Sequence, residues 1–396
     1  MDFSYSEEQL LLRDAIDKFL QKNYAFEQRR EIIRSREGMS ATVWEGFASL
    51  GLHGVPIPEA FGGFGGGGVD VMLVMEALGR ALVVEPYLSS VIMAGYTIAL
   101  GGSDAQRSIL LPRIADGSMK FAFGHSEPGS RYELNRVRTT ARQEGGMWII
   151  DGAKSVMMHG GLADLLIISA RTSGEADSPE GISLFFVNPA EQGVMGREYP
   201  TYDGMRAAEV TFDNVTISPE SIIGVLDGGY ALLEAVTERG IAAVCAEAVG
   251  CMDAVKDATL EYLKTRQQFG VPIGKFQALQ HRLVDMLIQT EQARSMAMLA
   301  AVKVDSPDVA ERRRCVAAAK ELIGRAGRYV GQQAIQLHGG MGMTDELPLG
   351  HYVKRLTAIE TLFGDGDMQL DRFAATQVAA AQAPLRKAAK KWKNLV

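Results

Sequence analysis

Three patterns of apolar and polar positions follow one another along the chain. Residues 1 to 118 carry helical spacing. The stretch SEEQLLLRDAIDKFLQKN opens on Ser6 as an N-cap and sets Leu10, Ile16, Phe19 and Leu20 near one face. The Ala- and Leu-rich run GVDVMLVMEALGRALVVEPYLSSVIMAGYTIALGG continues that period. Between the two lies IPEAFGGFGGGG. No GK[ST] follows it and no clear strand precedes it, so it reads as a flexible turn and not a phosphate loop.

Near Met119 the period shortens. MKFAFGHSEPGS, RVRTTARQEGGMWIIDGAKSVMMHGG, ADLLIISART, GISLFFVNPAEQGV and AAEVTFDNVTIS are short β-rich runs, punctuated by Gly, Asn, Asp and Pro. They predict an antiparallel sheet unit over 119–223. Helical spacing then returns and holds over 224–396. Ile241, Val244, Ala248, Met252, Val255 and Thr259 recur three or four apart, and further long helices follow. The predicted fold is α+β and mostly α: a helical domain, a middle β domain and a C-terminal bundle of four-helix type.

Composition narrows the function classes. The chain has 396 residues, 47% hydrophobic and 22% charged, as an ordinary globular protein has. A net charge of −7 gives no electrostatic case for nucleic acid. The basic tail RKAAKKWKNLV reads as a solvated helix face. Cys245, Cys251 and Cys315 form no CxxC pair, which suits a reducing cytoplasm. Six scattered histidines show no metal-ligand spacing. The N-terminus lacks the plan of a signal peptide, and no apolar run reaches the ~20 residues of a membrane helix.

Beyond this point the motifs carry the argument. TRQQFGVPIGKFQALQHRLVDM at 265–286 resembles the R-x-Q-F-G-x-P-I signature of acyl-CoA dehydrogenases. QLHGGMGMTDELPLGHYVKRL at 336–356 resembles their Q-x-x-G-G-x-G signature, and SEPGS at 126–130 a shortened T-E-P-x-x-G-S-D. DGMRAAEVTFDNVTISPESIIG is similar to the family's exit from the β domain. Together they span the chain in order. The likeness is strongest to the small subunit of pimeloyl-CoA dehydrogenases and related heteromeric enzymes.

The resemblance implies an acyl-CoA dehydrogenase fold and FAD. Arg266 would serve the pyrophosphate of a neighbouring subunit's FAD, its planar fork of donors matching phosphate oxygens, with Gln268 and Phe269 beside it. Gly339, Gly340 and Gly342 would let backbone approach the dinucleotide, with Gln336 as a side-chain contact. The segment Phe123 to Ser130 would lie along the flavin ring. Its backbone at Phe123 and His125 and the Ser126 hydroxyl would face the ring edge, with Ser130 toward the thioester. Where the family reads K-x-W-I-T-N-G, this chain reads KSVMMHG. Val156 replaces the shielding aromatic and Met158 the threonine on a ring nitrogen, while His159 offers an alternative polar contact or an ordinary turn histidine.

The dehydrogenation also needs a carboxylate at the α-proton. Counted from Gly340, the family's Y-E-G-T-x-x-I-Q falls on residues 362–369, with Gly364 and Gln369 retained and Phe363 at the glutamate. Asp365 is two residues away and short, and the resemblance sets it with Gly364 among the cofactor contacts. The alternative family position, on the first long helix of the bundle, falls on Gly240. Glu247 shares a helix face with Gly240, since seven residues turn about 700°. Its neighbours Val244, Ala248 and Cys251 make an apolar setting that suits a general base, or that a buried ion pair would fill. Against it stands a displacement of about 10 Å along the axis. Glu238, beside Arg239, reads as exposed. Glu247 ranks first as the base, a homologous partner chain second and Glu238 third. The implied function is α,β-dehydrogenation of an acyl-CoA with electrons passed to an electron-transfer flavoprotein. A non-catalytic FAD-binding subunit and a family-fold flavin oxidase or monooxygenase are the alternatives. A homo-oligomer or a heteromer, tetrameric in total, is expected in either case.

Overall fold

The computed structural model describes residues 5–378; the basic tail lies outside them. Six α-helices open the chain: α1 (Glu7–Asn23), α2 (Phe26–Arg34), α3 (Ala41–Ser49), α4 (Gly68–Ala81), α5 (Gly95–Gly101) and α6 (Asp104–Ala115). Ser6 caps α1 as the sequence predicts. Its hydroxyl accepts from Gln9 N while the Gln9 side chain accepts from Ser6 N. Ile16 and Leu20 point into the core, whereas Leu10 stays in solvent. Tyr87–Ala94, wound as a π-helix, leads directly into α5.

The middle unit is a twisted sheet. Its strands are β1 (Phe121–Gly124), β2 (Thr140–Glu144), β3 (Met147–Met158), β4 (Leu165–Arg171), β5 (Ile182–Val187), β6 (Val194–Pro200), β7 (Arg206–Ile217) and β8 (Ile222–Ile223). The order runs β6-β7-β3-β2-β4-β5-β8, with β1 alongside β4. The antiparallel prediction needs one correction, because β4 pairs in parallel with both β1 and β2. The β2–β3 hairpin separates β1 from β4 in sequence, and a long connection of that kind permits parallel pairing where a tight turn would forbid it.

The C-terminal bundle holds α7 (Gly229–Thr265), α8 (Gln277–Lys303), α9 (Val309–His338) and α10 (Pro348–Thr361), with a small β9–β10 hairpin (Gln267–Gln268, Val271–Pro272) between α7 and α8. A further helix follows at 366–378. Proline-free over 37 residues, α7 buries all six residues of its predicted stripe, Ile241 to Thr259. It crosses α4 backbone to backbone. A Cβ at Gly79 would lie 2.1 Å from Glu247 O, and one at Gly250 would lie 1.9 Å from Glu76 O. Only glycine permits that approach. It also turns the Glu247 side chain toward α10 and the sheet.

Candidate active site

A cavity of about 500 Å³ lies where the three units meet. The π-helical segment contributes Leu88, Ser89 and Met93, and the β domain contributes Phe123, His125 to Gly129, Ser155, Val156 and Met158. Thr237 of α7 and the turn carrying Leu362 and Phe363 close the remaining side. Phe123, His125, Ser126, Val156 and Met158 are thus brought together. Ser130 is buried beside them but does not face the cavity: its hydroxyl donates to Glu127 O and accepts from Glu127 N, closing a tight loop. His159 does not face it either. Its Nε2 pairs with Val84 O at 3.0 Å and its Nδ1 with Ser89 Oγ at 3.2 Å, and burial holds its pKa down to about 4. It is a structural histidine.

Neither candidate glutamate reaches the cavity. Both Glu247 oxygens accept from Arg355, Oε1 from Nε at 2.5 Å and Oε2 from Nη2 at 2.7 Å. The remaining Arg355 nitrogen, Nη1, donates to Asp203 Oδ2 at 2.9 Å. The apolar neighbours of Glu247 conceal a buried ion pair, and the long reach of Arg355 from α10 supplies it. Glu238 is buried, contrary to the sequence reading, and its Oε2 accepts from Arg312 Nε. Asp365 caps the helix at 366–378 through Met368 N at 3.0 Å. It also lies close to Tyr132 on the cavity rim, where burial and that carboxylate raise the Tyr132 phenol above its ordinary value. Gly364 O accepts from the buried Lys320 ammonium at 3.0 Å.

Phe363 and Gly240 face one another. A Cβ built on Gly240 would meet Met93 Sδ at 2.7 Å and the Phe363 ring at 3.0 Å. The two sequence positions at which the resemblance places a carboxylate are therefore one place in space. An aromatic ring fills it, and residue 240 must stay small while the ring is there.

The carboxylate that does line the cavity is Glu127, and it is fully engaged. Oε1 accepts from Lys154 Nζ at 2.6 Å and from Thr139 N at 3.0 Å, and Oε2 accepts from Arg138 N at 2.7 Å. Burial alone would push its pKa up, but Lys154 and these donors hold it below the usual range. Sequence reasoning missed this pair. Both residues lie inside quoted motifs, SEPGS and KSVMMHG, and the visible signal was a lysine on the same alternation of β3 as Trp148 and Ile150.

Arg266, Gln268, Phe269, Gln336, Gly339 and Gly340 lie elsewhere, at the far end of the bundle. Stacking of Tyr262 on His338, with ring centroids 4.3 Å apart, brings the β9–β10 hairpin beside the glycine turn after α9. All six residues are exposed, and Phe269 is 91% so. A Cβ at Gly339 or Gly340 would meet nothing within 4 Å, so their backbone is open to a ligand. Within one chain these groups do not touch the cavity.

Comparison with known proteins places this geometry. The chain matches the acyl-CoA dehydrogenase N-terminal domain over residues 6–118, the middle domain over 122–215 and the C-terminal domain over 227–378. It belongs to the acyl-CoA dehydrogenase family of oxidoreductases, and its cofactor is FAD. Among relatives, the acyl-CoA dehydrogenase FadE12 of Mycobacterium tuberculosis is 31% identical over 353 residues, 87% of this chain and 89% of that protein. The FAD complex of PigA superposes with a TM-score of 0.88 at 26% identity, covering 95% of this chain and 99% of PigA. A point variant of the Tcur3481-Tcur3483 steroid ACAD gives 0.86 at 27%, covering 95% and 99%.

Proposed function

We propose that this chain is the subunit of a heteromeric acyl-CoA dehydrogenase that lacks the proton-abstracting carboxylate, which a homologous partner chain carries in its own cavity. The carrying observation is the Phe363 ring against Gly240, which leaves Glu127, already paired with Lys154, as the one carboxylate lining the cavity among the described residues. Dehydrogenation of a CoA thioester removes a proton at the α-carbon and a hydride at the β-carbon. FAD supplies the hydride acceptor when bound. Phe123, Ser126, Val156 and Met158 form the wall that holds its ring. Arg266, Gln268, Phe269 and the Gln336–Gly340 turn serve the dinucleotide of a neighbouring subunit, because they cannot reach their own cavity. Electrons then leave to an electron-transfer flavoprotein. A structural relative named for a pair of chains, Tcur3481-Tcur3483, is consistent with a heteromer.

The test is purification alone and with a co-expressed homologue carrying glutamate at the position equivalent to Phe363. Flavin absorbance is followed on adding a panel of acyl-CoAs, then an electron-transfer flavoprotein. The isolated chain retains its flavin colour, and the pair bleaches and reoxidises. Rapid bleaching by the isolated chain would overturn the reading.

A further inference from the structure

The pair of Glu127 and Lys154 has a consequence at the cavity wall. The Lys154 ammonium is fully buried and has three polar neighbours: Glu127 Oε1 at 2.6 Å, Ser169 Oγ at 3.0 Å and His125 O at 3.4 Å. All three are acceptors, matching its three protons. Burial lowers its pKa to about 8 while Glu127 opposes the shift, so it stays charged at neutral pH. Ser169 Oγ therefore accepts from Lys154. Its own proton has one acceptor among the described residues, His125 Nδ1 at 2.9 Å. An Nδ1 that accepts carries no hydrogen, so in the neutral ring the proton sits on Nε2. Burial and the nearby ammonium keep the ring neutral, with a pKa down to about 3. No described residue bonds Nε2, and His125 lines the cavity.

We propose that His125 presents a fixed Nε2–H donor to the cavity, oriented by Lys154 and Ser169, and that this donor serves the electron-rich ring of the bound flavin. The inference rests on the reading that segment 123–130 borders that ring. A donor aimed at the ring is worth more to its reduced, more negative form, so it shifts the flavin toward reduction. The same tautomer bars His125 from replacing the missing base, because the nitrogen facing the cavity already holds its proton. His125 contacts the cofactor; Ser169 and Lys154 are positioning residues.

The experiment uses the FAD-loaded assembly without thioester. The reduced-to-oxidised flavin ratio is measured against a reference dye for wild type, His125→Leu, His125→Gln and Ser169→Ala. His125→Leu lowers the ratio about tenfold, which is about 30 mV for a two-electron couple. His125→Gln keeps an N–H and recovers most of the loss, and Ser169→Ala falls between. An unchanged ratio in His125→Leu overturns the proposal and leaves the FAD reading standing, whereas wild-type protein that retains no flavin overturns both. Nitrogen-15 spectra of the wild-type imidazoles, assigned with the Gln variant, provide a second measurement. An Nε2–H tautomer is expected, and an Nδ1–H tautomer or an imidazolium at neutral pH overturns the proposal.

Discussion

Phe363 adopts a left-handed backbone, φ +59°, with Gln369 Nε2 donating to its carbonyl at 2.8 Å. The resemblance places a glutamate on this turn. Phe363→Glu should therefore raise the rate of flavin bleaching by acyl-CoA in the isolated, FAD-loaded chain by about 10²-fold or more, the usual scale of a general base. Stopped-flow absorbance checks this. Glu247→Gln should act on stability instead. It leaves Arg355 with one buried carboxylate in place of two, and losing one partner of a buried pair costs about 3–5 kcal/mol. Urea unfolding reads that loss, with flavin content per folded chain unchanged. His53 offers a pH signature. It is fully buried against Trp44, neither ring nitrogen finds a partner among the described residues, and burial lowers its pKa from 6.5 to about 3. Between those values only the unfolded chain binds the proton. Stability therefore falls as pH drops below 6.5, by about 1.4 kcal/mol per pH unit for this one group. His53→Leu should flatten the acid limb of the stability curve by one proton. At this scale the sequence placed Phe363 where the resemblance expects a glutamate, but did not show what the charged residues around it were doing. The Glu247–Arg355 pair joins residues 108 apart, and no local pattern announces such a partner.

Elements were more legible than residues. The stripe on α7 and the cap on α1 are local, and both follow from spacing and side-chain chemistry. The parallel pairings of β4 were not local and were missed. The β9–β10 hairpin shows the same division. Its RQQFG motif stands out in the sequence, yet its distance from the cavity is visible only in the fold. Arg266 ends α7 in extended backbone, exposed, with no ion pair among the described residues. Arg266→Ala should weaken FAD retention by roughly 1.5–3 kcal/mol, the value of a charge-assisted hydrogen bond. The flavin-to-protein ratio after gel filtration measures it. Loss of colour without loss of helicity is the expected result.

At the scale of the whole molecule, α8 leaves Val284, Leu287 and Ile288 exposed at helical spacing, with Phe276 before them and Phe269 beside Phe276. An apolar stripe of this kind asks for a partner. Co-expression with a homologous chain, followed by native mass analysis, should give a tetramer containing both chains. A homotetramer that dehydrogenates unaided would refute the mixed composition. No described helix is long and apolar enough to cross a membrane.

The charges around Arg355 have an effect that reaches beyond the glutamate they occupy. Arg29 of α2 donates to Asp203 O at 2.9 Å and pairs with His351 of α10 at 3.2 Å, while Asp203 and Glu247 share Arg355. One dehydrated knot thus ties the opening helices, the sheet and the bundle. None of the three can withdraw without stranding an ion in a low-dielectric interior. Heat should accordingly melt the chain in a single sharp calorimetric event, and limited proteolysis should release no durable fragment corresponding to one third alone.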